Sequence, residues 1–158
     1  MAGPVAGMDL YAELLRVVEA LDRAGVGYAL VGGLAVSIYA APRATEDIDL
    51  MLTAEDLDRA TRALEPLGFR RAGSPMRVAA GRLQIQRLIK IEGRDLLPLD
   101  LLVATDEALA ASVGGRQQLA VEGRPVWIIG VEGLRRLKRL RGSAQDRADL
   151  EALGPDGS

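Results

Sequence analysis

Neither cysteine nor histidine occurs anywhere in the 158 residues. The first absence removes disulfides, thiolate metal sites and cysteine nucleophiles together. The second removes every triad that turns on imidazole, every histidine–metal site and the side chain that most readily shuttles protons near neutrality. Catalysis by this chain therefore has to run on carboxylates, lysine, arginine, hydroxyls or a metal held by oxygen. Aromatic side chains are scarce as well, at 3%. Tyr11, Tyr28, Tyr39, Phe69 and Trp127 are scattered along the chain, so the stacking platform of a single-strand nucleic-acid binder is missing. No apolar run approaches the roughly 20 residues of a membrane span. The opening MAGPVAGMDL has neither the basic region nor the apolar stretch of a secretory signal, so a cytoplasmic protein with no membrane partner is expected.

What is present suits a packed domain. Hydrophobic residues make up 49% of the chain, and the formal charge of −2 gives no general attraction to nucleic acid. Eighteen of the twenty basic residues are arginine, which fits a GC-rich coding sequence and is weak functional evidence. Residues 1–8 and 154–158 read as tails around one domain, 9–153. Helical spacing runs from Asp9 to Ala24, followed by a short strand from Gly27 to Val31, the pair Gly32-Gly33, and a helix from Leu34 to Ala41 stopped by Pro42. Asp47 to Leu52 reads as a strand. Thr53 with Asp56 resembles a capping box opening a helix to about Leu67. Strands are expected at 69–72, 76–80, 83–91 and 96–103, and a hairpin pairs 116–121 with 125–129 around Glu122-Gly123-Arg124. Two helices, 131–141 and 144–153, end the chain. The order predicts an α/β (α+β) fold, a mixed sheet flanked by helices.

The informative residues are acids in apolar company. Asp47 and Asp49 stand at i and i+2 of a short apolar strand, which puts both carboxylates on one face. Like charges repel there and desolvation adds to the cost, and a divalent cation offsets both. The alternative is that one aspartate faces solvent while the other caps a turn. Asp100 is the only charge in LLPLDLLV, where an acid needs an ion-pair partner or a metal. A neighbouring strand carrying it would complete a cluster of three carboxylates, enough for two metal ions to clamp an in-line displacement. A salt bridge to an arginine is the competing explanation. Gly32-Gly33, between strand and helix, lets the backbone approach phosphate at a helix N-terminus, although such turns are also purely structural.

Together, the segment LVGGLAVSIYAAPRATEDIDLML resembles the signature of the DNA polymerase beta-like nucleotidyltransferase superfamily. Within it, Arg43, Thr45, Asp47 and Asp49 match the small bacterial branch that includes AbiEii-type toxins. LRRLKRLRGSAQDRADLEAL is similar to that branch's closing segment, and the resemblance spans residues 10–153. It implies a nucleotidyltransferase-like sheet, with Gly32 and Gly33 cradling a triphosphate and Asp47 and Asp49 binding Mg²⁺ (two ions, with Mn²⁺ as a substitute). Asp100 would help hold the second ion and accept the proton of the attacking hydroxyl. The turn lacks the serine found in many members.

The basic residues of the next-to-last helix sort by geometry. Val131, Leu134, Leu137 and Leu140 form its apolar arc, with Lys138 and Arg141 inward and Arg135, Arg136 and Arg139 on a solvated face. Lys138 is the candidate for phosphate, with Arg43 and Thr45 as further nucleotide contacts or as anchors of their loop. Asp146 reads as a helix cap, and Asp149 as a partner of Lys138 or Arg141. The expected activity is Mg²⁺-dependent transfer of a nucleotide from an NTP to an acceptor hydroxyl. A toxin acting on tRNA or protein, with a cognate antitoxin, leads. A small-molecule, antibiotic-type nucleotidyltransferase and a non-catalytic nucleotide-binding module are the alternatives.

Overall fold

The computed structural model describes residues 8–40 and 45–154. Helix α1 (Leu10–Arg23) opens at Asp9, whose side chain accepts the amides of Tyr11 and Ala12, and buries Leu14, Val17, Val18 and Leu21. Strand β1 (Tyr28–Val31) leads into α2 (Gly32–Tyr39), and β2 (Ile48–Leu52) follows. The expected helix after Thr53 is instead a 3₁₀ turn, α3 (Leu57–Leu64) and a second 3₁₀ turn. Thr53 caps no backbone group, because its hydroxyl lies 3.4 Å from Asp56 Oδ2. Strands β3 (Arg70–Arg71), β4 (Met76–Val78), β5 (Leu83–Glu92) and β6 (Asp95–Ala104) come next. Sequence periodicity misses the following helix, α4 (Glu107–Gly114), which is capped by Asp106 accepting the Leu109 amide. Strands β7 (Gln117–Val121) and β8 (Arg124–Ile128) form the expected hairpin, with Glu122 and Gly123 both at positive φ in its tight turn. Helices α5 (Val131–Arg141) and α6 (Ala144–Leu153) close the described chain within a residue of expectation. Among the described residues no helix is long and apolar enough to cross a membrane.

The strands form one mixed sheet in the order β3-β5-β6-β2-β1-β8-β7, with β4 also paired to β5. β2 is central. It runs antiparallel to β1 and parallel to β6, and all five of its residues are buried. Strand alternation sorts the helices between the two faces. Arg87 and Lys90 lie an odd number of residues apart on β5, so they point to opposite sides. Lys90 Nζ is 2.9 Å from Glu13 Oε1 of α1, whereas Arg87 bonds Asp100. Helices α1 and α3 pack together on the Lys90 side, and α2, α5 and α6 pack together on the other.

Candidate active site

The sheet brings Asp49 and Asp100 together by register. Asp49 pairs with Val31 on one side and with Asp100 on the other, and Asp100 pairs in turn with Arg87. Directly opposed residues share a face, so Asp49, Asp100 and Arg87 form a row across β2, β6 and β5. Asp47 stands just before β2 and is half-buried, with the Thr45 hydroxyl 3.4 Å from its Oδ1. Asp49 and Asp100 are both buried. Burial first, then the charges of Asp47 and Asp100, push the Asp49 carboxyl up to about 7, while Arg141 and Lys138 pull the other way. Arg141 and Lys138 thus only partly offset the burial and crowding of the Asp49 carboxyl.

Beside this row opens a cleft of about 630 Å³, lined among others by Gly32, Gly33, Thr45, Asp47, Asp49 and Arg141. That is within the size range of small-molecule sites. Helix α2 begins at Gly32, two residues earlier than the periodicity predicts, so the glycine pair is the helix's first turn. No side chain caps that turn, and its residues line the cleft. Unbonded N–H groups at a helix start suit an anion. Gly32 has a φ of +72°, and a Cβ there would stand 2.8 Å from Asp49 Cγ and closer still to Oδ2. Glycine therefore lets α2 start directly against the carboxylate.

Residues 13–153 match the family model described as aminoglycoside-2″-adenylyltransferase. The chain belongs to that family. It is accordingly a nucleotidyltransferase. Three solved structures share the fold of this family member. ANT(2″)-Ia in complex with adenylyl-2″-tobramycin superposes with a TM-score of 0.63 at 18% identity, over 90% of this chain and 86% of that one. The lincosamide adenylyltransferase LnuA, lincomycin-bound, gives 0.58 at 19%, over 90% and 94%. A putative nucleotidyltransferase from Thermotoga maritima gives 0.62 at 12%, over 89% and 90%. No match was found among curated proteins.

The cleft differs from the sequence expectation in its cations. Lys138 does point inward and lines the cleft, but its ammonium is buried against Asp149 Oδ2 at 2.9 Å and Asp146 Oδ1 at 3.3 Å. Asp146 also completes a capping box with Ser143, as its spacing suggests. Arg141 is exposed on the cleft wall, and no ion pair to it is found among the described residues. It is the better phosphate candidate. Arg135, expected on a solvated face, is buried: its guanidinium bonds Glu132 and donates to the Leu153 carbonyl at 3.0 Å. Helix α6 covers that flank of α5, which a helical wheel drawn for one helix cannot show. Arg43 lies outside the described residues.

Arg87 is the residue that sequence reasoning missed. Its Nε donates to Asp100 Oδ1 at 2.9 Å and its Nη2 to Oδ2 at 3.0 Å. The salt bridge that competes with a metal at Asp100 therefore exists. A tight turn set at Gly93-Arg94 is the signal that would have placed Arg87 opposite Asp100.

Proposed function

We propose that the chain transfers a nucleoside monophosphate, AMP from ATP foremost, onto a hydroxyl of a small cationic molecule of the aminoglycoside kind. The observation that carries this reading is the convergence on one cleft of an uncapped helix start, two carboxylates and Arg141, in a chain of this family. The Gly32-Gly33 turn receives the triphosphate, and Arg141 faces its outer oxygens. Asp47 and Asp49 are the side chains that would hold Mg²⁺ or Mn²⁺; two carboxylates plus substrate phosphates suit such an ion. Bound there, the ion supplies neutralisation of phosphate charge. The Thr45 hydroxyl steadies Asp47, and Asp100 takes the acceptor proton. A bond forms from the acceptor oxygen to the α-phosphorus as the bond to the leaving pyrophosphate breaks. Positioning and charge neutralisation carry the chemistry.

The acceptor end is supported by a second recess of about 390 Å³ that shares Thr45 and Glu46 with the cleft and adds Asp95, Leu96 and Leu97. Carboxylates beside apolar walls suit an amino sugar better than a polyanion such as tRNA. The toxin reading draws support from sequence resemblance alone, at Arg43, Thr45, Asp47 and Asp49 and in the closing segment.

Purified protein incubated with each α-³²P-labelled NTP, Mg²⁺ and either tobramycin, lincomycin, total tRNA or cell protein tests the proposal. Label passing from ATP to the aminoglycoside is expected. Label on tRNA or protein and on neither antibiotic would replace the proposed acceptor with the toxin type. Arg141→Gln is expected to raise the nucleotide KM about tenfold, or ~1.4 kcal/mol, with a smaller effect on the acceptor KM. Steady-state kinetics in both substrates checks this.

A further inference from the structure

We propose that Arg87 is a built-in cation standing where a second divalent ion would otherwise sit, so that the site takes up one metal ion, on Asp47 and Asp49. This rests on the functional reading above and departs from the two-ion expectation drawn from the sequence. Both oxygens of Asp100 accept hydrogen bonds from one guanidinium, at 2.9 and 3.0 Å, in the side-by-side geometry that arginine offers carboxylates. The pairing is fixed by the sheet, since Arg87 is the direct cross-strand partner of Asp100. Asp100 is 7% exposed at its side chain while Arg87 is 41% exposed, so the guanidinium covers the carboxylate from the open side. Asp47 and Asp49 line the cleft and Asp100 does not. Among the described residues, no three acidic side chains are arranged to hold a metal ion.

Arginine in this place cannot withdraw its charge by losing a proton, as lysine can when buried. A divalent ion approaching Asp100 therefore meets a fixed positive charge. Asp100 bonds Arg87 most strongly, and Asp47 and Asp49 act on the same guanidinium more weakly, so all three acids hold it as a cation. What is left for a metal is the Asp47–Asp49 pair with the nucleotide's phosphates, a donor set that suits one Mg²⁺. Asp100, with both oxygens held by Arg87, is left out of the metal's donor set.

Counting Mn²⁺ by electron paramagnetic resonance, in the presence of a saturating non-hydrolysable ATP analogue, tests the inference without relying on turnover. The wild-type complex is expected to bind one ion. Arg87→Met should bind two, the second disappearing when Asp100→Asn is added. Two ions in the wild type overturn the inference whether or not the variants fold. So does a single ion in Arg87→Met when its circular dichroism matches the wild type. Failure of the wild type to bind either Mn²⁺ or the analogue overturns the functional reading itself.

Discussion

Asp49→Asn is expected to lose nucleotide transfer by about 10³-fold or more, the scale of ~4 kcal/mol of transition-state stabilisation, and yet to melt at a higher temperature than the wild type at neutral pH without metal. The two effects share one cause. The Asp49 carboxyl titrates at about 7 in the folded protein against an ordinary 3.8, chiefly because it is buried and then because Asp47 and Asp100 crowd it. Below about pH 4 it is protonated whether the chain is folded or not, and nothing is lost. As pH rises through the window between those values, the unfolded chain gives up a proton that the folded chain retains, so stability falls. Above about pH 7 the whole penalty is present. Asparagine does not titrate and escapes it. The variant should gain roughly 1–3 kcal/mol at pH 8 in EDTA, or about 3–10 °C in Tm, and lose that advantage near pH 4. Adding Mg²⁺ and nucleotide should raise the Tm of the wild type and leave the variant's unmoved. Calorimetric melts over that pH range check the sign; a variant less stable at pH 8, or one with undiminished turnover, would remove Asp49 from the role assigned to it.

Gly32→Ala is expected to cost about 3 kcal/mol of stability and to abolish nucleotide binding. A φ of +72° alone costs a non-glycine residue roughly 1–2 kcal/mol. The remainder comes from the new methyl group, which meets the Asp49 carboxylate and must displace either the strand's acid or the start of α2. The protein contains its own control. Gly25 has the same φ of +72°, but a Cβ there would meet nothing within 4 Å. Gly25→Ala should therefore show the backbone cost and keep full nucleotide affinity. Denaturant midpoints and nucleotide titrations of both variants separate the two contributions. Equal behaviour would mean that the approach of α2 to Asp49 has no functional weight.

Much of this arrangement is legible in the sequence, for identifiable reasons. Asp47, Asp49 and Asp100 stand out because acids in apolar strands are costly, and β2 and β6 do lie side by side as expected. The last two helices are legible from their leucine spacing and the Ser143–Asp146 cap. Helix α4 is not, because EALAASVG buries only Leu109 and Val113 and carries almost no amphipathic signal. Arg87 is hidden for a different reason. Its partner is decided by a two-residue turn at Gly93-Arg94, and a slip of one residue there would turn it to the other face of the sheet. Lys138 was legible as inward-facing, but that both its neighbouring acids would claim it depends on how α6 folds back on α5.

The position of β2 has a consequence for hydrogen exchange. Its backbone is bonded on both flanks, to β1 and to β6, and every residue in it is buried. Amides so placed open to solvent only when most of the sheet comes apart, unlike those of β7 at the sheet's margin. The amides around Asp49 are therefore expected to be among the slowest to exchange. The crowded charge at Asp49 cannot be relieved by a local opening of the cleft, and a bound cation that quenches it should slow deuterium uptake throughout the sheet core together.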